Sequence, residues 1–179
     1  MENKTITFGG GCFWCTDAIF RETVGVLEVK SGYSGGFIKR PGYREVRTGR
    51  TGHAEVIQVT YDPAKISLQD LLKIHLVTHD PTTVNQQGAD KGSQYRSIIF
   101  YSNEDEKSIA EKVIKSVAKD YPDPIVTELK PFEAFYEAED EHQNYYQENP
   151  DAFYCLAVIA PKLAKYRKLR KGPNKDSHD

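Results

Sequence analysis

Thr5-Ile6-Thr7-Phe8-Gly9-Gly10-Gly11-Cys12-Phe13-Trp14-Cys15 is the stretch around which this chain is organised. Ile6 and Phe8, flanked by threonines, read as a first β-strand. The residues that follow, Thr16-Asp17-Ala18-Ile19-Phe20-Arg21-Glu22, read as a helix. Three glycines between them let the strand turn sharply and let other groups approach closely. A cysteine is thus placed where a strand turns into a helix. Unpaired N–H groups and the macrodipole at a helix start favour an anion, and a thiolate there has a depressed pKa. Cys12 is therefore a candidate nucleophile. The plain alternative is an inert core cysteine, because free cysteine is among the most buried residue types. Cys12 and Cys15 also form a C-x-x-C pair, the thioredoxin-like redox signature. Zinc is a weaker reading, since structural zinc takes four ligands and Cys155 has no C-x-x-C partner.

Downstream, Val24 to Tyr33 reads as a second strand, broken by Ser34-Gly35-Gly36. Residues 37 to 53 are polar and carry Pro41, Gly42, Gly49 and Gly52, which makes a long loop of the kind that often holds function. His53 to Tyr61 alternates apolar and polar residues as a strand does, and Asp62-Pro63 ends it. Ser67-x-x-Asp70 is a capping pattern ahead of a helix over about Leu68 to His79. A second polar loop spans residues 80 to 93. Tyr95 to Tyr101 is a strong strand, Asn103 caps a helix running to about Lys119, and Ile125 to Leu129 is a last short strand. The first six elements follow the order β-α-β-β-α-β, the ferredoxin-like or split βαβ arrangement. The expected fold is α/β (α+β), a two-layer sandwich with helices on one face of the sheet and an added helix, strand and irregular C-terminal segment. Glu139 to Gln147 reads as a polar, Tyr-rich helix, residues 149 to 161 as irregular, Lys162 to Lys171 as a short basic helix, and Gly172 to Asp179 as a frayed tail.

The 179 residues suffice for one domain with a sizeable core, and a single domain over 1–179 is expected. A formal net charge of -2 gives no global electrostatic case for nucleic acid or membrane binding. No apolar stretch approaches transmembrane length, and the N-terminus shows no signal-peptide h-region. Three cysteines do not make a secreted disulfide framework, so a reducing cytoplasm is the expected setting.

The two long loops and the Cys12 turn lie beside strand ends and helix starts, where polar groups can converge. Glu55 and Asp90 are candidate acids, and Tyr43 and Tyr95 are candidate hydroxyl donors. On position alone Glu55 reads first as a solvated strand residue, and the tyrosines equally as half-buried aromatics. Phe13 and Trp14 read as core, or as an apolar wall beside the nucleophile. His75 and His79 are four apart on a helix, but they share its apolar stripe with no third ligand, which favours hydrogen-bonded core histidines over a metal site. His142 sits in no zincin motif. The basic run Lys162 to Lys171 reads as a solvated helix face.

Gly11-Cys12-Phe13-Trp14, Thr51-Gly52-His53-Ala54-Glu55-Val56, His79-Asp80-Pro81-Thr82, Gly92-Ser93-Gln94-Tyr95-Arg96-Ser97 and Glu141-His142-Gln143-x-Tyr145 together resemble the peptide-methionine (S)-S-oxide reductase, or methionine sulfoxide reductase A, family. The resemblance covers nearly the whole chain. It implies a Cys12 nucleophile that attacks the sulfoxide sulfur and becomes a sulfenic acid. Phe13 and Trp14 would hold the substrate methyl group, Glu55 would protonate the sulfoxide oxygen, Tyr43 and Tyr95 would hydrogen-bond it, and Asp90 would support the site. A neutral carboxyl and two phenols suit an oxygen that leaves poorly until protonated. The resemblance also implies thioredoxin as reductant, no metal or organic cofactor, and a monomer acting on methionine sulfoxide free or in proteins.

Two departures bear on recycling. The commoner family motif has glycine where this chain has Cys15, and many members carry two cysteines in a glycine-rich tail where this chain has only Cys155. Cys15 falls in register with Ala18, Ile19 and Glu22, a stripe expected to face the sheet. Cys155 is therefore the expected resolving cysteine, with Cys15 the second choice. A general dithiol–disulfide oxidoreductase using Cys12 and Cys15 is the rival enzyme class, and a non-enzymatic ligand-binding module the third reading.

Overall fold

The computed structural model describes residues 2–171; the expected frayed tail, Gly172 to Asp179, lies outside the described residues. Strand β1 (Lys4–Gly9) leads through the glycine turn into α1 (Phe13–Arg21) and β2 (Val26–Ser34). A short helix, α2 (Tyr43–Arg47), interrupts the first long loop before β3 (Ala54–Tyr61). Helix α3 (Leu68–Val77) follows, then the two-residue strands β4 (Gln86–Gln87) and β5 (Asp90–Lys91), and β6 (Ile98–Tyr101). Helix α4 (Glu104–Ala118) leads to β7 (Glu128–Pro131) and β8 (Phe135–Glu137), and α5 (Tyr145–Glu148) and α6 (Ala160–Lys171) come last.

The main sheet has six strands in the order β7-β6-β1-β3-β2-β8. Its four inner strands, β6-β1-β3-β2, are antiparallel neighbours throughout, as the ferredoxin-like order requires. β7 joins parallel to β6, and β8 joins antiparallel to β2. Along β3 the side chains alternate: Ile57, Val59 and Tyr61 enter the main core, while Ala54 and Val56 join Ile98 and Phe100 in a smaller apolar group, covered in part by Phe132 and Phe135. The main core is filled from α3 by Leu68, Leu71, Leu72 and Leu76, the stripe read from the sequence. Both expected caps form: the Ser67 hydroxyl accepts from Asp70 N–H at 3.1 Å, and Asn103 accepts from Glu106 N–H at 2.9 Å.

Several expectations are corrected. Helix α1 begins at Phe13 rather than Thr16, which makes Cys12 its N-cap residue. The stripe holding Cys15 is split: Cys15 and Ala18 pack against Cys155 and Ile159 of the C-terminal segment, whereas Ile19 enters the main core as expected. Helix α1 is thus covered on two sides, with Phe13, Ile19 and Phe20 in the main core. The Glu139–Gln147 helix is two short pieces, a 3₁₀ turn over Asp140–His142 and α5, separated by Asn144 with φ 53°. The segment read as irregular contains a π-helical turn, Cys155–Ile159, that runs into α6. Pro161 lies just past the junction of the π turn and α6, and because it has no N–H the helix forms no i→i−4 backbone bond at that position. The last expected strand is shifted to β7, because Val126 N–H bonds the Pro81 carbonyl across a loop before sheet pairing begins. Among the described residues no helix is long and apolar enough to cross a membrane.

Candidate active site

Gly11 makes the turn with φ +86°, and a side chain there would meet Gln87 at 2.8 Å. Gln87 is itself locked: its Oε1 accepts from Asp80 N–H and its Nε2 donates to the Asp80 carbonyl, each at 2.9 Å. At Gly9 the neighbouring strand is so close that a Cβ would lie 2.3 Å from the Glu55 carbonyl oxygen. The turn is therefore pressed between β3 and the second long loop, and Cys12 follows it directly.

The Cys12 backbone is extended (φ −68°, ψ 132°), and its carbonyl accepts the Cys15 N–H at 3.1 Å. No side chain caps the helix from the N-cap position. The free Phe13 N–H instead donates to Glu55 Oε1 at 3.1 Å. Glu55 shares the core-facing register of Ile57 and Val59 and is only 1% exposed, so the solvated-strand reading of this residue fails. Burial raises its carboxyl from 4.5 to about 8; the Phe13 hydrogen bond opposes the shift and the charge of Asp90 adds to it. The carboxyl is neutral at neutral pH. Its Oε2 is buried with no hydrogen-bond partner.

The thiol differs from its expected state. Cys12 is 7% exposed, and burial pushes its pKa well up, with ionised Glu55 raising it further. The helix-start effect is present, as the Trp14 N–H favours the thiolate, but desolvation is the larger influence.

Tyr43 opens α2, and Tyr95 lies in the 3₁₀ turn Ser93–Tyr95 before β6. Burial pushes Tyr43 up to about 12 and raises Tyr95, with Glu55 and Cys12 adding to both shifts. Both phenols therefore stay protonated donors, close enough to Cys12 and Glu55 to feel their charge. Asp90, on β5, accepts from the Tyr154 hydroxyl at 2.7 Å. Phe13 is fully buried, its ring 5.6 Å from those of Tyr33 and His142. Trp14 stacks on Tyr145 at 3.7 Å, and its indole N–H donates to His142 Nδ1 at 3.2 Å.

All three cysteines are reduced and buried. Cys15 (3% exposed) and Cys155 (0%) share one apolar group, whereas Cys12 belongs to the main core. Trp14, Tyr146 and Tyr154 pack against both groups. The structure thus brings Cys12, Glu55, Tyr43, Tyr95 and Asp90 together with Phe13 and Trp14. It places Cys15 and Cys155 beside each other in a separate apolar group. His75 and His79 are buried and neutral; His79 bonds the His75 carbonyl at 2.5 Å and the Ser97 hydroxyl at 2.7 Å. Among the described residues no group of three His, Cys, Asp or Glu side chains is placed to hold a metal ion. Sequence reasoning gave no site role to Gln87, Tyr145, Tyr154 or His142. The clustered tyrosines after Glu141-His142-Gln143 were the available signal for Tyr145, while Gln87 and Tyr154 had none.

A buried thiol at a helix start, set beside a carboxyl that holds its proton, is an arrangement suited to a thiol-dependent reductase. The family model for peptide methionine sulfoxide reductase matches residues 4–174. The peptide methionine sulfoxide reductase MsrA of Saccharolobus solfataricus is 53% identical over 166 residues, 93% of this chain and 94% of that protein. The crystal structure of reduced Mxr1 from Saccharomyces cerevisiae is similar with a TM-score of 0.82 at 35% identity, covering 86% of this chain and 90% of that one. Mxr1 in complex with Trx2 matches with a TM-score of 0.58 at 27% identity, covering 80% of this chain and 85% of that one. The chain belongs to the peptide methionine sulfoxide reductase family and is an oxidoreductase of the MsrA type.

Proposed function

We propose that this enzyme reduces the S epimer of methionine sulfoxide, free or in oxidised proteins, through a Cys12 sulfenic acid. The observation that carries the mechanism is the neutral Glu55 carboxyl, tied to the first N–H of the helix that Cys12 caps. The sulfoxide oxygen accepts from the Tyr43 and Tyr95 hydroxyls and takes the Glu55 proton as the Cys12 sulfur attacks the substrate sulfur. The oxygen passes to Cys12 as Cys–SOH, methionine leaves as the thioether, and Cys12 supplies the two electrons. Phe13 and Trp14 enclose the substrate methyl group, and Asp90 supports the site.

A second thiol then condenses with the sulfenic acid, forming a disulfide and releasing water. Cys155 is the proposed partner, with Cys15 the alternative. Because Cys155 is fully buried beside Cys15, the Cys155 route requires the segment around Tyr154 to unpack. Reduction by thioredoxin completes the cycle; the solved Mxr1–Trx2 complex of a family member supports that partner. We further propose a monomeric, cytoplasmic enzyme. The rival dithiol exchange at Cys12 and Cys15 is disfavoured, because Cys15 faces the C-terminal segment and Cys12 the main core. A thioredoxin-coupled assay on separated sulfoxide epimers tests the proposal. The S epimer is turned over and the R epimer is not; comparable rates on both overturn it.

A further inference from the structure

Trp14 and Tyr43, which adjoin the site, continue outward with His142 and Tyr145 as the wall of a cleft of ≈ 990 Å³. That volume is at the upper end of small-molecule pockets and exceeds what one side chain fills. Two features give the cleft a direction.

The first is His142. It is 5% exposed, and its Nδ1 accepts the Trp14 indole N–H at 3.2 Å. The neutral ring must therefore carry its proton on Nε2. Burial holds its pKa down against the pull of Glu139 and Glu141, so the ring is neutral at neutral pH. Nε2 has no acceptor among the described residues and is not sealed from solvent, so this donor opens to the cleft that the ring lines. A fixed, neutral N–H at this position suits a peptide carbonyl.

The second is charge. The cleft rim carries the carboxylates of Asp140, Glu141 and Glu148, none of them ion-paired among the described residues. Arg47 is the one opposing cation in the lining, and its guanidinium lies 5.8 Å from the Tyr43 ring centroid. The rim is net acidic, and the half-buried rings of Tyr43 and Tyr145 beside it add cation–π attraction.

We propose that this cleft binds the polypeptide flanking the oxidised methionine, with His142 Nε2 donating to a main-chain carbonyl and the acidic rim selecting a lysine or arginine neighbour. The inference rests on the reading that the Cys12 site reduces methionine sulfoxide. It makes the enzyme selective among oxidised methionines by local charge, before any chemistry at sulfur.

The test compares kcat/KM for blocked pentapeptides of one sequence in which the residues flanking methionine sulfoxide are Lys, Ala or Glu. Dithiothreitol is the reductant, so that a protein reductant docking on the same face does not enter. At low ionic strength the Lys peptides should exceed the Glu peptides about fivefold or more, shrinking toward parity by about 0.5 M salt, as exposed charge pairs do. In the Glu141→Lys, Glu148→Lys double variant the preference should vanish or reverse. The ratio within each enzyme is the readout, so a general loss of activity does not affect it. If the double variant does not fold, the salt dependence of the wild-type ratio decides alone. Equal kcat/KM for Lys and Glu peptides at low salt, or a preference unchanged by salt, overturns the inference. Failure to reduce any of the peptides, or free methionine sulfoxide, overturns instead the functional reading on which it rests.

Discussion

Glu55→Gln probes the neutral carboxyl beside Cys12 through two independent readouts. Glu55 is 1% exposed, and burial raises its pKa from 4.5 to about 8. A carboxyl raised in the fold contributes stability that is complete below its unfolded value of 4.5 and is lost as pH climbs through about 8. Across that window the unfolded chain has released the proton and folding must take it back, at about 1.4 kcal/mol per pH unit. Gln does not ionise and is free of this cost. It does place an NH2 group where Oε2 has no partner, a pH-independent cost of about 1–3 kcal/mol. The diagnostic is therefore the slope: in urea titrations the variant should gain about 3 kcal/mol on wild type between pH 5 and pH 7.5. The amide oxygen still accepts the Phe13 N–H, so the start of α1 is preserved. Sulfenate formation, followed in a single turnover, should fall by about two to four orders of magnitude, the worth of a positioned general acid. A stability difference that is flat with pH would refute the buried neutral carboxyl. A single-turnover rate within about threefold of wild type would move the acid role elsewhere, with Asp90 next in line.

Cys12→Ser should abolish reduction of the S epimer, because an alcohol supplies no anionic nucleophile near neutral pH; turnover by the purified variant would put the nucleophile at another residue. Peptide mapping after one equivalent of substrate without reductant should yield a Cys12–Cys155 disulfide. A dominant Cys12–Cys15 crosslink, with thioredoxin-driven turnover intact in Cys155→Ser, would make Cys15 the resolving residue.

Local chemistry made much of the fold legible. The caps at Ser67 and Asn103, the stripe Leu68, Leu71, Leu72, His75, Leu76, and the alternation along His53 to Tyr61 are short-range patterns. Their order is enough to specify a βαββαβ core. Strand Phe135–Glu137 was not legible, because three residues carry no alternation to read and its existence depends on pairing with Gly32–Ser34. The C-terminal segment looked irregular because Pro150 and Pro161 bracket it, whereas its helical turn forms by packing Cys155 and Ile159 on Cys15 and Ala18.

The candidate site divides in the same way. The glycine turn and the cysteine at a helix start are sequence facts, as are the types and positions of Glu55, Tyr43, Tyr95 and Asp90. Their ionisation states are not. The helix start alone argued for a Cys12 pKa below the ordinary value, and Glu55 alone read as a solvated carboxylate. The folded chain reverses both, because desolvation sums over neighbours from distant segments, here β3, the loop before β6 and the aromatic residues after β8. The same reason governs Cys15. Its register on α1 showed which residues share its face, but only the docking of residues 152–159 decided that Cys15 and Ala18 meet Cys155 while Ile19 of the same stripe enters the main core. Sequence determined which groups are available and in what local geometry; tertiary packing, by setting what water reaches, decided which of them carry protons.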